Sequence, residues 1–310
     1  MRLYKILNRE KLLWRKWKLL NQKNKIWDLL DKPKGKMFIR CKLVFVVKYK
    51  SDRSTEKYKV RLVAKGFTQT NHIDYQETFA PITKLNTERV LLSLAANLDW
   101  WLQQLDIKNA FLNGDLEEEV YMELPPWFDQ RNEGKVYKLR KSLYGLKQSP
   151  RALSERFTKA IMMHGYTQAQ SNHTLFYRHS EGKVTILIVY MDDIIMIGND
   201  PMELKRLKGK LVAKFEIKDL WPLHYFLGMD MARNKNGISV SQRKYILDLL
   251  KETGMLEYKP VDTPMDPIKK IGEQKESTPV DTRRYQRLVG KLIYLSHTRP
   301  DITFAVSIMS

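Results

Sequence analysis

Two rhythms of apolar and polar positions run along this chain, and the changes between them mark its elements. KLVFVVKYK (42–50) and KYKVRLVA (57–64) carry β-branched and aromatic residues at strand spacing. The polar run SDRSTE between them predicts a β-hairpin with a basic face. Thr87 is placed to N-cap a helix over 88–98, where Val90, Leu91, Leu94, Ala95 and Leu98 recur at helical spacing. Trp101 to Leu105 reads as a strand ending at Asp106, the run Glu117–Glu119 as the exposed start of a helix or turn, and PPWF (125–128) as a loop. Pro150 suits the first turn of a helix reaching about His164. Strands are predicted over 174–178 and 184–191, and the second, VTILIVYM, is apolar enough to be covered on both faces. Asp192 and Asp193 follow, then IIMIG resumes the apolar run, which predicts a hairpin with two acids at its turn. Helices over 201–214 and 242–253 and short strands over 223–230 and 237–240 come next. Residues 260–285, rich in Pro, Thr and charge, read as a linker before a helical pattern over 286–310.

Composition narrows the class. A hydrophobic content of 43% with 11% aromatics can fill a core, so wholesale disorder is ruled out. The 310 residues allow two domains or one large lobed one. One cysteine, Cys41, excludes a disulfide framework and a Cys-based zinc site. His72, His164, His173 and His297 lack ligand spacing. No apolar run reaches the length of a membrane span, and no secretory leader is expected, which points to an intracellular protein. Against 35 Asp and Glu stand 55 Lys and Arg, a net charge of +20, which favours a polyanionic partner. The first 25 residues hold nine basic residues and one acid, and residues 26–70 hold twelve and four, so the excess lies near the N-terminus. Two readings stand for it: a nucleic-acid surface and a solvated lysine-rich face. Leu3, Ile6, Leu7, Leu13, Trp14, Trp17 and Leu20 make residues 1–25 a basic amphipathic segment. It suits a helix on a membrane or nucleic acid, a targeting segment or an accidental extension.

The Asp pair carries the most chemistry. Ionised carboxylates beside a buried strand need a compensating cation or donor, and IVYMDDIIMIG offers nothing basic. A divalent metal bound through oxygen removes both the desolvation and the mutual repulsion. Asp106, at the end of WWLQQLD, is a third acid for the same site. Acids ending strands at one sheet edge suit a two-metal phosphoryl-transfer centre. The plainer readings are an Asp-Asp turn for the pair and an N-cap or turn acid for Asp106.

Six segments in order carry a family resemblance. They are YKVRLVAKGFTQTNHIDYQETFAPI (58–82), QLDIKNAFLNGDLEEEVYMELPP (104–126), KLRKSLYGLKQSPRAL (138–153), LIVYMDDIIMIGND (187–200), HYFLGMDMARNKNGISVSQRKYILDLL (224–250) and YQRLVGKLIYLSHTRPDITFAVS (285–307). Together they resemble the reverse transcriptase of copia-type LTR retrotransposons, from about Trp27 onward. The resemblance implies an α+β fold: a right-hand polymerase with palm and fingers, the palm an antiparallel sheet backed by helices. It implies RNA-directed DNA synthesis onto a primer 3′-end, with two Mg²⁺ or Mn²⁺ ions, an RNA or DNA template with primer, and deoxynucleoside triphosphates. Location would be cytoplasmic, nuclear or both.

Residue by residue, the resemblance makes Asp106, Asp192 and Asp193 the catalytic, metal-binding triad. Phe111 would stack under the incoming sugar, or else be a core phenylalanine. Lys59, Arg61 and Lys65 would hold the triphosphate, or else form a basic edge strand; strand alternation puts Lys59 and Arg61 on one face, whereas Lys65 needs the strand to continue. Tyr144, Gly145 and Gln148 would line the nucleotide pocket. Ser149, Pro150, Arg151, Tyr190 and Met191 would meet template and primer, or else residues 144–151 are a loop running into a helix with Pro at its start; Tyr225, Phe226, Leu227 and Gly228 would do so at a primer-grip turn, or else form a packed strand end. Lys218 would protonate the leaving pyrophosphate.

The implied division is a basic extension (1–25), fingers and palm (26–259), a linker (260–285) and a shortened connection (286–310) ahead of an absent ribonuclease H domain, in a fragment of a polyprotein. Trp127 and Trp221 stand where the family has Gly, and Leu153 where it has an aromatic. These departures leave a rival reading: a catalytically decayed relic that still binds nucleic acid.

Overall fold

The computed structural model describes residues 17, 25–49, 52, 54–81, 84–125, 134–220, 223–265 and 281–310. The predicted basic segment 1–25 falls almost wholly outside them, as do Trp127, Trp221 and most of the predicted linker. In chain order the elements begin with β1 (Trp27–Asp31), β2 (Cys41–Tyr49), β3 (Thr55–Ala64), α1 (Leu85–Asn97), β4 (Trp101–Ile107), β5 (Asp115–Glu123) and β6 (Lys135–Lys141). They continue with α2 (Ser149–Met162), β7 (Thr167–Gln168), β8 (Leu175–Ser180), β9 (Lys183–Tyr190), β10 (Asp193–Gly198), α3 (Pro201–Lys214) and β11 (Ile217–Asp219). Last come β12 (Tyr225–Phe226), β13 (Met229–Asn234), β14 (Gly237–Ser241), α4 (Arg243–Thr253), α5 (Thr282–Ser296) and α6 (Thr303–Met309). The fold is α+β.

The chain forms two compact units. The first comprises Met1–Lys84 and Gln104–Asp219, the second Leu85–Gln103 and Leu220–Ser310.

A six-stranded sheet in the order β11-β4-β10-β9-β8-β7 is the frame of the first unit. The pairs β11–β4, β10–β9, β9–β8 and β8–β7 run antiparallel. Leu153, Phe157, Ala160 and Ile161 fall on one face of α2, and Leu204, Leu207 and Leu211 on one face of α3. Both stripes close over Leu105, Ile107, Leu187, Ile194 and Met196 of the sheet. Phe157 stacks on Phe215 with ring centres 4.4 Å apart. Asp200 starts α3 by accepting from the N–H groups of Met202 and Glu203, with Pro201 behind it. As predicted, β9 is covered on both faces: Thr185 to Ile188 are all buried. Two further sheets complete this unit, β1-β6-β5 and the hairpin β2-β3. Their core includes Ile26, Trp27, Leu62, Val120, Met122, Tyr137 and Leu139.

The run Glu117–Glu119 departs from its predicted helix or turn and lies in strand β5. Distant cations make this tolerable. Glu118 meets Arg151 at 2.8 Å, and Glu119 meets Lys36 at 2.9 Å and Lys138 at 2.6 Å. The two lysines and the Tyr121 hydroxyl hold Glu119 down at a pKa of about 2.

In the second unit, α1 starts at Leu85, so Thr87 lies inside its first turn and does not cap it. The helix buries Glu88, Leu91, Leu92 and Ala95. Arg233 fixes its far end, donating to the carbonyls of Ala95 and Trp100 and to Asp99. The predicted strand 223–230 is instead two strands about a turn at Leu227–Gly228. Helix α5 begins at Thr282, capped by Asp281, so the predicted linker ends earlier than residue 285. No helix among the described residues is long and apolar enough to cross a membrane.

Candidate active site

The two acids sit where two apolar strands reverse. Tyr190 pairs with Asp193, which leaves Met191 and Asp192 as a two-residue turn. Met191 takes the strained left-handed region, φ 51°, to make that turn. On the neighbouring strand β4, the Ile107 N–H donates to the Asp192 carbonyl at 2.7 Å, which brings the end holding Asp106 to the turn. Asp106 and Asp192 are both close enough to act on Asp193. Burial, opposed by the Gln104 amide and reinforced by the charges of Asp192 and Asp106, lifts Asp193 to a pKa of about 6. Gln104 Nε2 donates to Asp193 Oδ1 at 3.0 Å. On the other side of β4, the register sets Lys218 directly opposite Asp106. Directly opposite residues project from the same face of an antiparallel pair, so a cation flanks the acids.

An aromatic and a cationic wall adjoin them. A short 3₁₀ turn, Ala110–Asn113, follows β4 and presents Phe111. The Phe111 ring meets Tyr144 edge-on with centres 4.9 Å apart. The Arg61 guanidinium lies 5.5 Å from the Tyr144 ring centre. Burial raises the Tyr144 hydroxyl pKa, Arg61 lowers it, and the charges of Asp192 and Asp106 raise it further. The structure thus brings Asp106, Asp192, Asp193, Phe111, Tyr144 and Arg61 into one neighbourhood. Lys59 shares the Arg61 face of β3, the two alternating with buried Val60 and Leu62. Lys65 follows the end of β3 at Ala64. There the chain turns, the Lys65 N–H donating to the Arg40 carbonyl at 2.7 Å.

Glycine lets the hairpin and the Tyr144 loop touch. The Ala64 N–H donates to the Tyr144 carbonyl at 2.8 Å. Gly145 has φ +93°, and a Cβ there would stand 2.2 Å from the Ala64 carbonyl oxygen. Gly145→Ala is therefore expected to cost about 3 kcal/mol or more and to displace Tyr144 from Arg61. A thermal melt checks this; a wild-type melting temperature would refute it.

Gln148 and Arg151 serve this junction from inside. The Gln148 side chain is fully buried. Its Oε1 accepts from Gln69 Nε2 at 3.0 Å, and its Nε2 donates to the Asp74 carbonyl at 3.2 Å. Arg151 is held by Glu118 at 2.8 Å and Glu155 at 3.6 Å. The family resemblance assigns both to substrate or template, and their polar ends are engaged within the protein. Ser149 is buried and donates to the Leu143 carbonyl at 2.6 Å. Pro150, Tyr190 and Met191 line a cavity of about 140 Å³ together with Phe111, Leu153 and Phe157. Tyr225 to Gly228 belong to the second unit, where Leu227 and Gly228 form a tight turn, both with positive φ. Sequence reasoning missed Gln104. The available signal was its place two residues before Asp106 on a strand, hence on the same face.

The donor set suits a hard cation, being oxygen only. Among the described residues no three His, Cys, Asp or Glu side chains are gathered tightly enough to hold an ion alone. Mg²⁺ fits such a partial site: it keeps waters and is bound through one or two carboxylates with substrate phosphates completing the shell.

Comparison with known proteins gives the class. Residues 24–267 match the family model "Reverse transcriptase (RNA-dependent DNA polymerase)". The chain belongs to that family. Its relatives are copia-type transposon polyproteins. It is 42% identical over 289 residues to the retrovirus-related Pol polyprotein from transposon RE1 of Arabidopsis thaliana, covering 93% of this chain and 20% of that protein. It is 41% identical over 300 residues to the Pol polyprotein from transposon TNT 1-94 of Nicotiana tabacum, covering 93% and 23%. The chain thus spans about a fifth of the length of these relatives. Among solved structures, a foamy viral protease-reverse transcriptase in complex with double-stranded DNA aligns with TM-score 0.42 and 14% identity, covering 89% of this chain and 38% of that one.

Proposed function

We propose that this chain is the polymerase core of a copia-type retrotransposon reverse transcriptase, extending a primer 3′-end on an RNA or DNA template. The observation that carries this is the approach of Asp106 to the Met191–Asp192 turn, beside Phe111, Tyr144 and Arg61. Asp106, Asp192 and Asp193 would hold two Mg²⁺ or Mn²⁺ ions. Bound there, such ions activate the primer hydroxyl and stabilise charge on the leaving pyrophosphate. Arg61 and Lys59 neutralise the triphosphate, and Phe111 supports the sugar of the incoming nucleotide. Lys218, set opposite Asp106, donates the proton that pyrophosphate takes as it leaves.

Primer extension on poly(rA)·oligo(dT) tests the reading. Incorporation is expected with Mg²⁺ and template, and none after chelation by EDTA. One observation favours the rival relic: the buried carboxyl of Glu88 in α1 has no hydrogen-bond partner, a costly defect in a fold under selection. The relic predicts nucleic-acid binding with a steep salt dependence and no nucleotide addition by folded protein.

A further inference from the structure

We propose that Gln104 is a positioning residue for this centre: it holds the Asp193 carboxylate in the orientation that cation binding requires. This rests on the polymerase reading and adds to it a residue that touches no substrate.

The placement is specific. Along β4, Leu105 belongs to the buried core, and strand alternation turns Gln104 and Asp106 to the opposite face. Gln104 is 4% exposed. Burying an amide costs free energy that an apolar residue of the same size avoids, unless the amide is bonded. One bond it makes is to an acid of the triad, Nε2 to Asp193 Oδ1 at 3.0 Å. Asp193 sits in a field that pushes it away, because Asp192 and Asp106 share its sign. A donor from β4 restrains it against that repulsion. The chemistry of the donor also matters. A lysine or arginine here would neutralise the carboxylate and compete with a metal for it. An amide orients the carboxylate through Oδ1, keeps its charge and leaves it able to ligate through Oδ2. Bonds of this kind, one layer behind the ligands, typically change metal affinity or activity about 10- to 100-fold when removed.

The test is Gln104→Met, which keeps volume and removes the donor. Mn²⁺ binding is followed by electron paramagnetic resonance in the presence of dTTP, alongside primer extension and a thermal melt. The half-saturating Mn²⁺ concentration is expected to rise about 10-fold and kcat to fall by a similar factor. KM for dTTP should stay within about twofold, because the nucleotide contacts are untouched. In an Asp193→Asn background, Gln104→Met should add nothing further, since the partner is already altered. Unchanged Mn²⁺ half-saturation, effects that multiply with Asp193→Asn, or no Mn²⁺ binding by the wild type would each overturn the inference. Gln104→Asn, which keeps the amide but shortens its reach, gives the same decision if the Met variant fails to fold. The Mn²⁺ titration is independent of turnover. A wild type that binds Mn²⁺ in a Gln104-dependent way and never extends a primer would refute the polymerase reading and leave this inference standing.

Discussion

Asp192→Asn is expected to abolish template-directed incorporation and leave the fold in place. The side chain is exposed at a two-residue turn, and the bond that ties the turn to β4 comes from the Asp192 backbone carbonyl. Asparagine is at home in such turns, so the hairpin should keep its register. What changes is one negative charge at the edge of the sheet. On the proposed reading, the remaining carboxylates, Asp106 and Asp193, would have to gather cations and a triphosphate alone. Catalysis of phosphoryl transfer is mostly positioning and charge stabilisation, so the loss should be on the order of a thousandfold or more. Primer extension on poly(rA)·oligo(dT) measures it, with far-UV circular dichroism to confirm the fold. A mutant rate equal to wild type would remove Asp192 from the mechanism and with it the two-metal reading.

The sequence made that hairpin legible because all of its signals are local. Two apolar runs flank two acids, and a reversal there returns both runs to one core with the acids at its edge. Phe111 owes its assignment to the family resemblance: its local pattern reads as a core phenylalanine, and the side chain packs partly buried against the core of the first unit. The missed features are those whose partners lie far along the chain. Glu118 and Glu119 read as a solvated turn because Arg151, Lys36 and Lys138 are invisible to a local pattern. Nor could a local pattern show what holds Gln148, whose amide is bonded to Gln69 and the Asp74 carbonyl more than seventy residues upstream. The grouping of α1 with the C-terminal elements has the same cause. An amphipathic helix announces that it needs a partner but does not name one: of the predicted stripe only Leu91 and Ala95 are buried, Val90, Leu94 and Leu98 are exposed, and Leu92 completes the buried face instead.

Glu88 breaks that stripe, and replacing it should stabilise the protein by several kcal/mol at neutral pH. It is 2% exposed, neither carboxylate oxygen has a hydrogen-bond partner, and burial lifts its pKa to about 8. The unfolded chain releases this proton near pH 4.5, whereas the folded chain keeps it until about pH 8. Folding therefore binds a proton across that window, and stability falls as pH rises through it, by about 1.4 kcal/mol per pH unit from this group. The loss is absent below pH 4.5, reaches roughly 3 kcal/mol by pH 7 and levels off above pH 8. Arg89 is exposed on the adjacent face of α1, and His297 and Thr298 line the same cleft of the second unit. Neither Arg89 nor His297 bonds the carboxylate, so neither relieves the penalty. Glu88→Leu removes both the charge penalty and two unsatisfied oxygens. Its melting temperature should exceed wild type by roughly 10 °C at pH 8, with a smaller gain at pH 4.5 that reflects only the oxygens. Glu88→Gln separates the two contributions: it should lose the pH dependence and keep part of the cost of a buried polar group. Differential scanning calorimetry at pH 4.5, 6 and 8 reads all three chains. A Leu variant that melts at or below wild type at pH 8, or a wild type whose stability is flat between pH 5 and 8, would show that Glu88 is solvated or paired in solution and that α1 carries no such defect.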